Sequence, residues 1–122
     1  MKEFDKLVED TFAGTGGTLW QGDPKKNGYL CSLSAHGISF PMPRTIEALR
    51  SRVQEYMESK KKDIDLWFIL GRQLYVGAWV NEGIVYLDLN VWMKDMDLCL
   101  VRARAGKQKA IWDIENQKEI PV

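Results

Sequence analysis

The sequence predicts an α+β domain in which a small, mainly antiparallel β-sheet is covered by two main helices. Three observations carry that expectation. Tyr75 to Ile120 forms a continuous hairpin, helix and strand pattern; apolar residues after Thr45 recur at three- and four-residue steps; and short β-prone runs nearer the start are bounded by glycine and proline. At 122 residues the chain is long enough to bury a core without disulfides or a structural metal, so 1–122 is expected to be a single domain. Within it, 1–17 supply an N-terminal helix and Gly-rich connector, and 75–120 the hairpin-helix-strand unit.

Phe4, Leu7, Val8 and Phe12 have helical spacing, and Gly14, Gly16 and Gly17 end that helix. Thr18 to Gln21 and Gly28 to Leu33 suit strands, and the turn formers in Gly22-Asp23-Pro24-Lys25-Lys26-Asn27 predict that they pair as a hairpin. A third extended piece, Ile38 to Phe40, stops against Pro41 and Pro43. Thr45 is an N-cap for a helix whose apolar face is Ile46, Leu49, Val53, Tyr56 and Met57. Its end is expected near Lys60, where a basic run suits the negative end of the helix dipole. Ile64 to Leu70 fits either a buried strand or a turn of buried helix, and a short helix is the reading adopted.

Tyr75 to Val80 and Ile84 to Leu89 flank Asn81-Glu82-Gly83, a three-residue connection with glycine in the left-handed position. Alternation directs Val85, Leu87 and Leu89 to the core and Ile84, Tyr86 and Asp88 away from it. Asp95 and Asp97 then favour a helix start, Met96, Cys99, Leu100 and Ala103 form its apolar stripe, and Gly106 terminates it. Lys109 to Ile114 returns as a strand, followed by the polar turn Glu115-Asn116-Gln117.

Seventeen basic and seventeen acidic side chains cancel, which argues against a polyanion mimic and against long-range steering of nucleic acid. Local basic groups remain: Lys60, Lys61 and Lys62, and Arg102, Arg104, Lys107 and Lys109. They are the phosphate contacts of an alternative reading as a nucleic-acid-binding module, with aromatic side chains for stacking. Cys31 and Cys99 are the two cysteines, and the start Met1-Lys2-Glu3-Phe4-Asp5 has no secretory pattern, so a reduced, cytoplasmic location is expected. The longest apolar run, Leu66 to Leu70, is too short to cross a bilayer.

The residues that carry chemistry are few. His36 is the single histidine and has no base, nucleophile or metal partner at motif spacing; one histidine and two separated cysteines make no zinc signature. Gly14-Thr15-Gly16-Gly17 lacks the lysine and hydroxyl of a phosphate-binding loop. Asp88 and Asp113 are read as closing strands, where aspartates hold turns and caps more often than they serve acid/base work. No catalytic residue, cofactor or metal is assigned, and the expectation is a nonenzymatic protein; a small enzyme using Asp88, Asp113 or His36 is the third reading. Five tryptophans favour protein binding, and Trp20 and Trp92, beside turns or element ends, are the two expected to stay accessible.

The block Gly77-Ala78-Trp79-Val80-Asn81-Glu82-Gly83 with Val85-Tyr86-Leu87-Asp88 resembles a family of small uncharacterised proteins encoded by phages and integrative mobile elements of Gram-positive bacteria. Asp95 and Asp97, Gln108-Lys109-Ala110-Ile111-Trp112-Asp113-Ile114 and Glu119-Ile120-Pro121 continue it, with Cys99 where alanine is common and Lys107 where asparagine is usual. Gly16-Gly17-Thr18 and Gly28-Tyr29 resemble its opening, whereas Lys60 to Leu74 is longer than the family pattern. The resemblance implies a mobile-element origin and no catalytic residues. Together these observations point to a noncatalytic accessory factor that binds a host or element-encoded protein, with inhibition of a host defence system as a candidate role.

Overall fold

Alternation in one strand organises the molecule. In the computed structural model, which describes residues 2–20 and 22–122, strand β4 (Ile84–Met93) buries Val85, Leu87, Leu89, Val91 and Met93 on one face and sends Ile84, Tyr86, Asp88, Asn90 and Trp92 to the other. It lies inside a six-stranded, wholly antiparallel, curled sheet of order β1-β3-β4-β2-β5-β6. The other strands are β1 (Gly16–Leu19), β2 (Tyr29–Pro41), β3 (Gln73–Asn81), β5 (Ala110–Asp113) and β6 (Lys118–Pro121). Helices α1 (Lys2–Phe12), α2 (Ile46–Ile69) and α3 (Met96–Ala105) cover the apolar face, so the α+β class stands, with the N-terminal helix joining the two main ones as cover.

The core joins Phe4, Leu7 and Val8 of α1, Leu49, Val53 and Tyr56 of α2 and Cys99 and Ala103 of α3 to the inward residues of β4 and to Leu74, Val76 and Ala78 of β3. An ion pair between Asp5 and Arg50 ties α1 to α2. Thr45 caps α2 by accepting from the Ala48 amide at 3.1 Å, and Asp95 caps α3 by accepting from the Leu98 amide at 3.0 Å. Cys31 and Cys99 are free and buried where β2 meets α3; contact with the Cys31 thiol and burial push the Cys99 thiol up, while the same contact pulls the Cys31 thiol down.

Five expectations are corrected. The hairpin between the first two strands does not form: β1 pairs with β3, β2 pairs with β4 and β5, and the β3–β4 hairpin stands between them. Gly16 explains part of this choice, because a Cβ there would lie 2.2 Å from the Ala78 carbonyl oxygen, and only glycine lets β1 approach β3 so closely. Gln21, the expected end of that strand, lies outside the described residues. The pieces Gly28 to Leu33 and Ile38 to Phe40 belong to one strand, β2, interrupted by a register shift between Leu33 and Ile38.

The helix from Ile46 does not stop at Lys60. It continues to Ile69, so Lys60, Lys61 and Lys62 lie within it and Ile64 to Ile69 is helical. No glycine or proline interrupts Ile46 to Leu70, and lysine is a good helix former. The end comes at Gly71 (φ +84°), with the Gly71 amide donating to the Phe68 carbonyl and the Arg72 amide to the Trp67 carbonyl, a Schellman closure. At the end of α3 the same closure puts the positive φ on Lys107 (57°), one residue beyond Gly106.

Asp88 does not close its strand; β4 runs five residues further, to Met93, and carries Trp92 with it. The turn before it has two residues rather than three, since Asn81 pairs with Ile84 and both Glu82 (φ 50°) and Gly83 (φ 76°) are left-handed, the pattern of a type I′ hairpin. No helix among the described residues is long and apolar enough to cross a membrane.

Glutamate is a poor residue for the first left-handed position of that turn, where asparagine is favoured. Glu82→Asn is expected to stabilise the domain by about 0.5–1 kcal/mol, measured as a shift in the urea midpoint at unchanged slope; a loss of stability would contradict the turn type.

Candidate functional site

Two surfaces on opposite sides of the sheet carry unusual chemistry. The first lies on the helix side. The buried residues of α2 all fall in its first half, and beyond Met57 only Ile64 and Trp67 pack against the core. The last turns are apolar all round, so Phe68, Ile69 and Leu70 are left 68%, 78% and 69% exposed, with Leu66 beside them. On α3, Met96, Leu98 and Val101 are also exposed. A groove of about 570 Å³ separates the two helices, lined by Trp67, Met93, Leu98, Val101 and Ala105. The Arg102 guanidinium stands 5.1 Å from the Trp67 ring. Ile64 to Leu70 had been expected to be buried, as strand or helix; it is a helix with its apolar side chains largely in solvent.

The second surface is the face of the sheet that no helix covers. Gly77 lies opposite Asp88, and Trp79 opposite Tyr86 with the rings stacked at 4.0 Å. Asp88 accepts from Ser32 Oγ at 3.1 Å through one carboxylate oxygen and from Asn90 Nδ2 at 2.9 Å through the other. A Cβ on residue 77 would come within 2.6 Å of Asp88 Oδ1 and 2.4 Å of Asn90 Nδ2, so glycine there leaves the space the pair occupies. Residues 34–37 of β2 stand opposite Asp88 alone, because Leu33 pairs with Leu89 and Ile38 with Leu87. Burial raises the Asp88 carboxyl above its ordinary 3.8 against the pull of its two hydrogen bonds.

Two grooves of about 690 Å³ each flank Asp88 and Trp79, which line both. One is walled by Trp20, Trp112 and Leu30, with Lys25 at its margin; the other by Tyr86, Ile38 and Ser39, with Lys107, Lys109 and Glu119. Trp79 and Trp112 are the more open tryptophans, at 44% and 37%. Trp20 and Trp92, singled out from the sequence as the accessible pair, are half-buried on the same face. Trp20 meets Tyr75 edge-on at 4.7 Å, while Trp92 donates to the Asn27 carbonyl at 2.9 Å and lies beneath Lys25. Trp92 does sit beside the end of β4, as its penultimate residue, and the Asn27 carbonyl and Lys25 hold its ring there.

The sequence-selected chemical groups do not converge. His36 lies on the helix side, its Nδ1 3.4 Å from Lys60 Nζ and its carbonyl accepting from the Tyr56 hydroxyl at 2.7 Å. Asp113 accepts from the Asn116 side chain at 2.8 Å and the Asn116 amide at 3.2 Å, bonds that hold its carboxyl below 3.8 and fix the turn into β6. Among the described residues no three His, Cys, Asp or Glu side chains are grouped to hold a metal ion. The basic residues are divided as well: Arg102 covers Trp67 on the helix side, whereas Lys107 and Lys109 border the open face. Lys60, Lys61 and Lys62 ride on α2, and Arg104 is exposed on α3.

The raised Asp88 carboxyl has a consequence for stability. The folded chain keeps this proton to higher pH than the unfolded chain, so ionisation costs nothing below 3.8 and subtracts stability as pH rises through the folded-state value. The advantage of Asp88→Asn over the parent is therefore expected to be larger at pH 7 than at pH 3 in thermal unfolding, whatever constant offset the altered hydrogen bonds add. An advantage that shrinks as pH rises would contradict the burial of this carboxylate.

No protein-family model, curated protein or solved structure matches this chain.

Proposed function

We propose that this protein is a noncatalytic binding factor that docks an apolar surface of a partner protein onto the end of α2 and the adjoining face of α3. The observation that carries the reading is the solvent exposure of Leu66, Phe68, Ile69 and Leu70 beside Met96, Leu98 and Val101. Clustered exposed apolar side chains of this kind mark interaction sites more often than plain solvent-facing surface. Phe68 and Leu70 project, Trp67 and Val101 line a groove, and Arg102 supplies a polar margin, a composition that suits a recognition centre with anchors. The resemblance to proteins of phages and integrative elements supports placing that partner in a bacterial host, with a component of host defence as the candidate.

A nucleic-acid-binding role is the second reading, and one observation favours it: Lys107 and Lys109 border the same groove as Trp79 and Tyr86, so phosphate contacts and a stacking platform occur together. The division of the remaining cations between the two sides of the sheet weighs against it.

The test is a pull-down from host lysate with the parent and with Phe68→Asp/Ile69→Asp, whose fold is checked by circular dichroism. A specific partner is expected with the parent and a loss of affinity of about thirtyfold or more with the variant. Equal recovery by both proteins, or gel filtration showing that the chain covers this surface with a second copy of itself, would end the reading.

A further inference from the structure

A carboxylate in the middle of a strand, half-buried and held in no ion pair, is an expensive feature. Desolvation penalises its charge, and a structural role alone is served as well by a neutral amide. Neither Lys6–Asp10 nor Arg50–Asp5 involves Asp88, and among the described residues its polar contacts are Ser32 and Asn90, both neutral. Its surroundings are arranged around it. Gly77 leaves room for its head group, the register shift of β2 removes regular strand pairing opposite it, and Trp79 on the next strand, one ring face stacked on Tyr86 and the residue still partly exposed, lines both grooves with it.

The occupancy of the carboxylate restricts what it can bind. Ser32 uses one acceptor position on Oδ2 and Asn90 one on Oδ1, so each oxygen retains a further acceptor position. A ligand must therefore bring donors, and two parallel donors spaced to reach both oxygens match best. A planar guanidinium has that fork, and its flat face also stacks on an indole, where the ring's negative face attracts it. An ammonium has neither the fork nor the plane, and a neutral hydroxyl leaves the buried charge uncompensated.

We propose that Asp88 and Trp79 form a binding site for a guanidinium group, with the carboxylate as the anchor and the indole as the platform. The site is independent of the apolar surface on the helix side. Ser32 and Asn90 are positioning residues, holding the carboxylate plane so that its free acceptor positions meet a ligand lying along the open face. Lys25, Lys107 and Lys109 line the same grooves as Asp88, but among the described residues none is ion-paired with it; Lys25 lies over the Trp92 ring at 4.5 Å and Lys109 shares its groove with Glu119. The guanidinium can belong to a small free ligand or to an arginine side chain of a peptide.

Titration of ¹⁵N-labelled protein with ethylguanidinium, N-acetylarginine amide and a blocked Gly-Arg-Gly tripeptide tests this, with the citrulline and lysine amides as controls. Saturable shifts are expected at the Trp79 indole and at the Gly77 and Asp88 amides, with a dissociation constant of about 1 mM or tighter for at least one guanidinium ligand. Equal binding of all three ligands identifies a small-guanidinium site, and a clear preference for the tripeptide identifies a peptide site; both support the proposal. Citrulline amide is expected to give no saturable shift, and lysine amide to bind at least about fivefold more weakly. Asp88→Asn is expected to weaken binding at least about tenfold, and the surface variant Trp79→Ala to weaken it while its other amide signals stay in place. Absence of saturable shifts with every guanidinium ligand, citrulline bound as well as arginine, or undiminished binding by a folded Asp88→Asn protein would each overturn it.

Discussion

The two-sidedness of β4 is the constraint from which the rest follows. Val85, Leu87, Leu89 and Val91 are wholly buried, so the strand's register against β2 and β3 is fixed: a slip by one residue would turn these four into solvent and force Asp88 and Asn90 under the helices. The cost of such a slip, several buried side chains at about 1.5–3 kcal/mol each, far exceeds any local preference of a turn. Asp88 is held beside Ser32 and across from Gly77 because the apolar residues next to it have no alternative place. The polar cluster thus derives its geometry from the core behind it.

The same constraint explains why the sheet order departs from chain order. The β3–β4 hairpin closes through two residues and pairs along nine positions, from Gln73↔Trp92 to Asn81↔Ile84. Short loops close at little entropic cost, so this hairpin presents two long edges to the rest of the chain. The flanking strands β1 and β2 then find their partners on those edges and not on each other. The turn formers between Gly22 and Asn27 permit a reversal without determining which strand receives the chain afterwards.

What was legible in the sequence is what local physics decides. The caps Thr45 and Asp95, the apolar stripe Leu49-Val53-Tyr56 and the alternation of Val85, Leu87 and Leu89 each follow from spacing and side-chain chemistry within a few residues. Nonlocal choices were hidden. Nothing near Gly16 in sequence announces that Ala78 will lie against it, and Asp88 reads as the close of a strand until Val91 and Met93 are recognised as continuing its alternation. The basic run at Lys60 resembled a helix end because lysines favour that position; the true stop is Gly71, beyond an apolar run whose exposure could not be read from periodicity. For Trp79, the signal was present in the alternation of β3, where Tyr75, Gly77 and Trp79 fall opposite Leu74, Val76 and Ala78.

Length sets the last relation between fold and surface. A helix of 24 residues extends about 36 Å, and its buried residues, Leu49, Val53 and Tyr56, all lie in the first half. In its final turns only Ile64 and Trp67 pack against the core, and a helical end in water ordinarily acquires charge to remain soluble. Here the opposite composition occurs, with Leu66, Phe68, Ile69 and Leu70 around Trp67. These residues contribute little to the core, yet each lowers solubility. The apolar surface thus stands on one side of the sheet and the hydrogen-bonded carboxylate on the other. The two faces share β4 as a common wall, and Leu89 and Asp88, adjacent in sequence, point to opposite sides of it.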